Sequence, residues 1–348
     1  VAIGDDALLL NTTGVNNIAI GRDSLKTATV GINNIGVGND ALGALTTGND
    51  NVAIGDGAMN AITTGIDNVG IGSNALGALT VGTDNIAIGD DALLANTTGI
   101  DNVAIGGDAL TTLTVGVRNI GIGKSAMTLL TTGTDNVAIG ATALDANTTG
   151  VENVAIGTDA LGANTLGDGN IAIGDDALLL NTTGVNNVAI GRDSLKTQTV
   201  GVRNIGIGNN AMGALTTGTD NIAIGSGALD AATTAVENVA IGTDALSVNT
   251  VGINNIAIGD DACLALTTAN SCVAIGRDAL LGVTTGIENT AVGDQAGNTI
   301  TTGDGNTLLG NNAQTGSATA VDRIMLSAGS GIGTADAADV SVNIGNNA

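Results

Sequence analysis

The sequence predicts an all-β fold: a parallel β-solenoid, or β-roll, of about 20 coils with a 17-residue repeat. Two observations carry this. The motif Val1-Ala2-Ile3-Gly4 returns as Ile18-Ala19-Ile20-Gly21, Ile35-Gly36-Val37-Gly38 and Val52-Ala53-Ile54-Gly55, and the 17-residue step holds without insertion or deletion through 18 copies, residues 1–306. Glycine at the fourth and fourteenth positions of the unit then leaves at most nine residues between helix breakers, with β-branched residues crowding both ends. A coil of strand plus helix needs roughly 20–29 residues. Seventeen suits two or three short strands joined by tight turns.

The unit reads [VI]-[AG]-[IV]-G-x-x-[AS]-L-x-x-x-T-[TV]-G-x-x-N. Positions 1–3 make the first strand. Side chains alternate along it, and because Val1 and Ile3 are large, apolar and repeated, they are expected to face the core. Leu8, replaced in its column by Met59, Met127 and Met212, supplies a second core row. Gly4 and Gly14 are expected at corners, where a positive φ is cheap only for Gly. Position 17 is Asn in 17 of the 18 copies. Asn17, Asn34, Asn51, Asn68, Asn85, Asn102, Asn119, Asn136 and Asn153 are therefore expected to stack as an amide ladder that caps a turn. Position 2 is Ala or Gly in all 18 copies. On an outward face such a size limit implies a close neighbour, so Ala2, Ala19, Gly36, Ala53, Gly70 and Ala87 are expected to pack against another copy of the chain. The alternative is an inward second layer within one coil.

Charges occupy positions 5, 6 and 16, which read as a solvated face. Asp5 is followed one coil on by Arg22, Asp175 by Arg192 and Asp260 by Arg277, while Arg118 lies between Asp101 and Asp135. This alternation relieves like-charge stacking, although each exposed pair contributes only about 0–1 kcal/mol. A divalent cation on the Asp-Asp corner (Asp5, Asp6, Asp90, Asp91) is a minor alternative, because the RTX calcium motif is absent.

Composition excludes several classes. The 348 residues include no His, Pro, Phe, Tyr or Trp and only two Cys, with 33 acidic against 9 basic residues. The common zinc, haem and iron–sulfur ligand sets are missing, as is any Ser-His-Asp or Cys-His site, so no cofactor and no catalysis are expected. A net charge of -24 without aromatics lacks what nucleic-acid binding needs. No apolar run is long enough to span a membrane. The carboxylate pairs lie on a repetitive convex surface without a pocket. Cys263 replaces a core Leu and Cys272 a ladder Asn in the same coil. They could bridge across the coil or remain two small buried thiols.

The tail keeps the frame. Thr307-Leu308-Leu309-Gly310 opens another coil, Ile324-Met325-Leu326-Ser327 follows 17 residues later with Ser330 in the Ala/Ser column, and Val342-Asn343-Ile344-Gly345 follows after 18, with Ala348 in the seventh column. Residues 1–306 are read as the regular solenoid and 307–348 as degenerate coils that continue it. Val1 is neither an initiator Met nor the start of a signal segment, which suggests a processed or trimmed chain. Neither end carries a polar cap, so end-to-end stacking or excision from a longer fibre is expected.

The unit N-[VI]-A-I-G-x-x-A-L-x-x-N-T-T-G-x-N, carried by Asn17 to Leu25 and by Asn96-Thr97-Thr98-Gly99, resembles the short repeats of YadA-type head domains in trimeric autotransporter adhesins. It is similar also to the 17-residue repeats of bacterial surface fibres and phage tail-fibre-like proteins. The stretch Asn306 to Gln314 looks like the run-out of such fibres. The resemblance implies a left-handed β-roll, homotrimers, an extracellular, cell-surface or virion location, and adhesion to a cell-surface or host receptor. The leading expectation is a rigid structural rod or filament that associates with itself. A second is an adhesin or tail-fibre shaft whose recognition element lies in 307–348. A third is ice binding by the Thr12/Thr13 ladder, which is weakened because adjacent residues face opposite sides and Val30 and Leu166 interrupt the second row.

Overall fold

The computed structural model describes residues 1–326 and, for the backbone alone, 341–344. The chain is an all-β parallel β-solenoid. It divides into two compact units, Val1–Asn170 and Ile171–Ala348, the division falling between two repeats of the sequence. In the first unit, β1 (Ala2–Ile3), β2 (Ile18–Ile20) and their successors up to β10 (Val154–Ile156) each occupy positions 1–3 of a coil. They pair in parallel and in register, Ala2 with Ala19, Ile18 with Ile35 and Val137 with Val154. In the second unit, the same pairing runs from β11 (Ile171–Ile173) to β18 (Thr290–Val292), β19 (Thr307–Leu309) and β20 (Arg323–Leu326). β20 then pairs with β21 (Ser341–Ile344), Arg323 opposite Ser341, a step of 18 residues. Ser327, Ser330, Gly345 and Ala348 lie outside the described residues.

The strand is oriented opposite to the sequence expectation. Position 2 points inward: Ala19, Ala53 and Ala87 are fully buried, and Gly36 and Gly70 are buried too. Positions 1 and 3 point out, with Ile54 40 % and Ile88 37 % exposed. Ala2, in the terminal coil, is exposed. The size limit at position 2 therefore comes from the interior of the coil and not from a second copy. A Cβ added to Gly36 would lie 2.7 Å from Ser24 Oγ, and one added to Gly206 would lie 2.7 Å from Ser194 Oγ. Those serines stand where most coils carry Ala. The core consists of Ala at positions 2 and 7, Leu or Met at 8, and a mixed row at 11 that includes Leu45, Ile62, Leu79 and Leu113.

Between the strands the chain folds as linked tight turns. In the second coil the Ser24 N–H donates to Gly21 O (3.4 Å), Lys26 N–H to Asp23 O (3.3 Å) and Ala28 N–H to Leu25 O (3.2 Å). Asp23 (φ 58) and Leu25 (φ 51) lie in the left-handed region, and their N–H groups donate to neighbouring coils, to Asp5 O at 2.9 Å and Ala41 O at 3.0 Å. A left-handed Leu is strained. Its side chain reaches the core only through this turn. Gly4 matches its expectation, with φ 135 and Gly21 O 2.5 Å from where a Cβ would sit. Gly31, in the column of Gly14, is glycine for a different reason. The column has no positive φ, but a Cβ there would meet Gly48 O at 2.7 Å and Asn34 Nδ2 at 2.9 Å.

Candidate functional surfaces

The most ordered polar feature is internal. Asn34 N–H donates to Asn17 Oδ1 (2.9 Å), and Asn34 Nδ2 donates to Asn17 Oδ1 (3.2 Å) and Gly48 O (2.8 Å). The motif repeats along the first unit through Asn51, Asn68, Asn85, Asn102, Asn119, Asn136 and Asn153. All of these from Asn34 on are fully buried. Each carboxamide thus satisfies two backbone groups of the following coil and bonds the carboxamide of the preceding one, as a fully buried polar side chain requires. The ladder is structural.

A second ladder runs through position 12. Thr97 Oγ1 donates to Thr114 O (3.1 Å), which also accepts the Thr97 N–H (2.9 Å). Thr29, Thr46 and Thr63 repeat the side-chain bond. These hydroxyls are therefore committed within the chain. The Thr of position 13 point outward, as Thr64 and Thr98 do. The two rows face opposite sides, as alternation along the chain implies, and it is the position-12 row whose hydroxyls are used between coils.

Cys263 and Cys272 are both free and buried, so the cross-coil bridge is not formed. Cys272 takes over part of the ladder: its N–H donates to Asn255 Oδ1 (3.0 Å) and its Sγ to Gly286 O (3.2 Å). Burial pushes the Cys263 thiol well above its ordinary range. It also raises that of Cys272, against the opposing effect of the Asn289 amides. Both are protonated at neutral pH and poor nucleophiles. Of the four N-T-T sequons, Asn11 in the terminal coil is exposed, whereas Asn96, Asn147 and Asn181 are fully buried and cannot serve as glycan acceptors in the folded stack.

On the charged corner, Lys26 Nζ lies 3.0 Å from Asp6 and 2.7 Å from Asp23, and Lys196 Nζ lies 2.9 Å from Asp176 and 2.7 Å from Asp193. Each lysine thus bridges two stacked carboxylates and offsets the repulsion between them. The Asp23 and Asp6 hydrogen bonds push the Lys26 ammonium up to about 12. Arg118 pairs with Asp135 through two bonds of 2.6 and 2.8 Å, as its placement between acids suggested. The arginines at position 5 reach to the following coil: Arg22 Nε to Asn39 (2.8 Å), Arg192 Nε to Asn209 (3.2 Å) and Arg277 Nε to Asp294 (3.0 Å). Among the described residues, no group of three or more His, Cys, Asp or Glu is placed to hold a metal ion. No helix among them is long and apolar enough to cross a membrane.

Two outward faces carry no such charge pairing. Positions 1 and 3 present a double row of Val and Ile, with Thr only at Thr290 and Thr307 and Leu only at Leu309 and Leu326 through β20. Positions 13 and 15 present a second pair of rows, which includes Val81 (48 % exposed) and Ile100 (41 % exposed). No protein-family model matches the chain, and no curated protein matches it significantly.

Proposed function

We propose that the chain is a non-catalytic structural fibre protein that associates laterally with further copies of itself through the Val/Ile face of positions 1 and 3. The single observation behind this reading is that each of the first 17 coils, through β17 (Val273–Ile275), turns two Val or Ile side chains outward there and no charged one, in a chain of net charge -24. Soluble proteins seldom leave such a strip open. With roughly 100 Å² of apolar side chain per coil, the first unit alone offers on the order of 1,000 Å² per partner, against about 800 Å² in a standard interface. Three chains per cross-section and an extracellular setting follow from the resemblance of the repeat to trimeric fibre heads. The interface is placed at positions 1 and 3, and the buried Ala/Gly column has no part in it.

Light scattering of the purified protein tests the reading. A multiple of the 33.4 kDa chain mass is expected, and Ile54→Lys with Ile88→Lys and Ile105→Lys should dissociate it. A monodisperse monomer for the unaltered chain would sink the proposal.

A further inference from the structure

Coil 16, residues 256–272, departs from the repeat at two inward columns at once. Cys272 stands where the other 17 copies carry Asn, and Cys263 stands in a column that is Leu or Met in 16 of the 18. They are the two cysteines of the chain, and both are buried.

The exchange weakens one junction. On the rung before it, Asn255 donates from N and Nδ2 to Asn238 Oδ1 (3.0 Å each). Beyond it, Asn306 does the same to Asn289 Oδ1 (3.0 and 2.9 Å). Between coils 16 and 17 the Asn289 amides find only the Cys272 sulfur, a weak acceptor. In return Cys272 offers an S–H to Gly286 O (3.2 Å), where Asn offers a stronger N–H. Among the 18 copies, only here does the ladder run through sulfur.

Local opening of a folded chain follows its weakest contacts. Separation of coil 17, residues 273–289, from coil 16 uncovers Cys272. The Leu column packs against position 2 of the following coil, as Leu25 does against Gly36, so the same separation uncovers Cys263. In the closed stack neither thiol can be reached. In the open one both return to an ordinary thiol pKa of about 8.5 and lie on one short stretch of chain.

We propose that Cys263 and Cys272 form a dithiol–disulfide switch, set by a small external disulfide when coils 16 and 17 part. The Cys272 thiolate attacks one sulfur of that disulfide and releases a first thiol. The Cys263 thiolate then attacks the Cys272 sulfur of the mixed disulfide and releases a second. Two cysteine thiols are oxidised to one S–S bond, the external disulfide is reduced to two thiols, and the two cysteine protons end on them. A bridged Cys272 has no S–H left for Gly286 O, and its sulfur is drawn off the ladder column. Closure then leaves a buried carbonyl unpaired, so the oxidised chain opens more often at this junction.

The test incubates the full chain with oxidised glutathione in native buffer. Intact mass follows the bridge, and hydrogen exchange over residues 273–289 compares the two forms. The chain should lose two hydrogens while still folded, and exchange in that segment should become roughly tenfold faster. Cys272→Asn restores the common rung and should slow glutathione capture of Cys263 by roughly tenfold. Cys272→Ala should leave capture at least as fast as in the unaltered chain and halt it at the mixed disulfide. Thiols that react no faster than the whole chain unfolds would overturn the proposal, as would capture of Cys263 that Cys272→Asn does not slow. So would a bridged chain that exchanges as slowly as the reduced one, because the bridge would then be a staple.

Discussion

Asn85→Ala removes one rung from the middle of the first unit's ladder. Asn85 Nδ2 donates to Asn68 Oδ1 (3.0 Å), Thr83 O (3.0 Å) and Gly99 O (2.8 Å), and its Oδ1 accepts from Asn102 N (3.1 Å) and Nδ2 (3.1 Å). After truncation Asn68 Oδ1 keeps the Asn85 N–H, and Asn102 Nδ2 keeps Gly116 O. The Gly99 carbonyl and the Asn102 N–H lose their ladder partners in a site with no exposure. At about 1–3 kcal/mol for each orphaned group, the loss is about 2–6 kcal/mol before any cavity cost. Asn85→Cys should cost less than Asn85→Ala, because Cys272 shows that a thiol can bond the carbonyl ahead of it. Denaturant melts followed by far-UV circular dichroism, with Thr64→Ala on the exposed row as control, measure this. A midpoint for Asn85→Ala equal to that of the control would refute the claim that the ladder holds coil to coil.

Three further outcomes are expected. Asn96 Nδ2 is buried without a hydrogen-bond partner while its Oδ1 accepts the Gly99 N–H (2.9 Å), so Asn96→Leu, the side chain of Leu79 and Leu113 in the same column of the adjacent coils, should raise stability by only about 1 kcal/mol in the same melts, the burial gain being offset by the lost bond. Gly89→Ala should destabilise more than Gly82→Ala: an added Cβ meets a carbonyl at either site, but only Gly89 holds a positive φ, of 140, and the column of Gly82 adjusts to Ala at Ala235 and Ala269. pH should act in both directions. Arg118, Arg203 and Arg277 hold Asp135, Asp220 and Asp294 below the usual carboxylate range. Their stabilisation is present above the unfolded carboxylate pKa and lost as pH falls through the folded one. Burial raises Asp230, so its contribution has the opposite sign, and Asp230→Asn should stabilise at neutral pH with the gain vanishing in acid.

The period, the strand positions, the Asn ladder and the corner at Gly4 were legible because each leaves a nearly unvarying column. The direction of the strand was misread. Alternation divides Val-Ala-Ile into two faces but does not say which is inner, and the larger side chains were assigned to the core. In the 18 regular coils only Ala or Gly fits beneath the strand, because Leu25 and its equivalents supply the bulk; where Gly297 stands in the Leu column, the next coil places a buried Leu308 beneath the strand instead. Gly36 above Ser24 and Gly206 above Ser194 were the readable signal, an inner column shrinking where its neighbour changes. Asp and Asn at positions 6 and 16 were read as a solvated face. They also occupy left-handed turns, as Asp23 (φ 58) and Asn33 (φ 59) do, where these residues are favoured. Left-handed Leu25 could not be foreseen, because nothing in a leucine's own preference points to that backbone.

Distances between spin labels on the exposed position-13 row test the stacking itself most directly. With Cys263→Leu and Cys272→Asn as background, and labelled chains diluted in unlabelled protein, pairs at Thr64 and Thr132 and at Thr64 and Thr149 span four and five coils. In-register stacking predicts roughly 19 and 24 Å, one increment of about 4.8 Å for each 17 residues. Separations that fail to grow by a constant step with each added repeat would contradict the coil-on-coil arrangement.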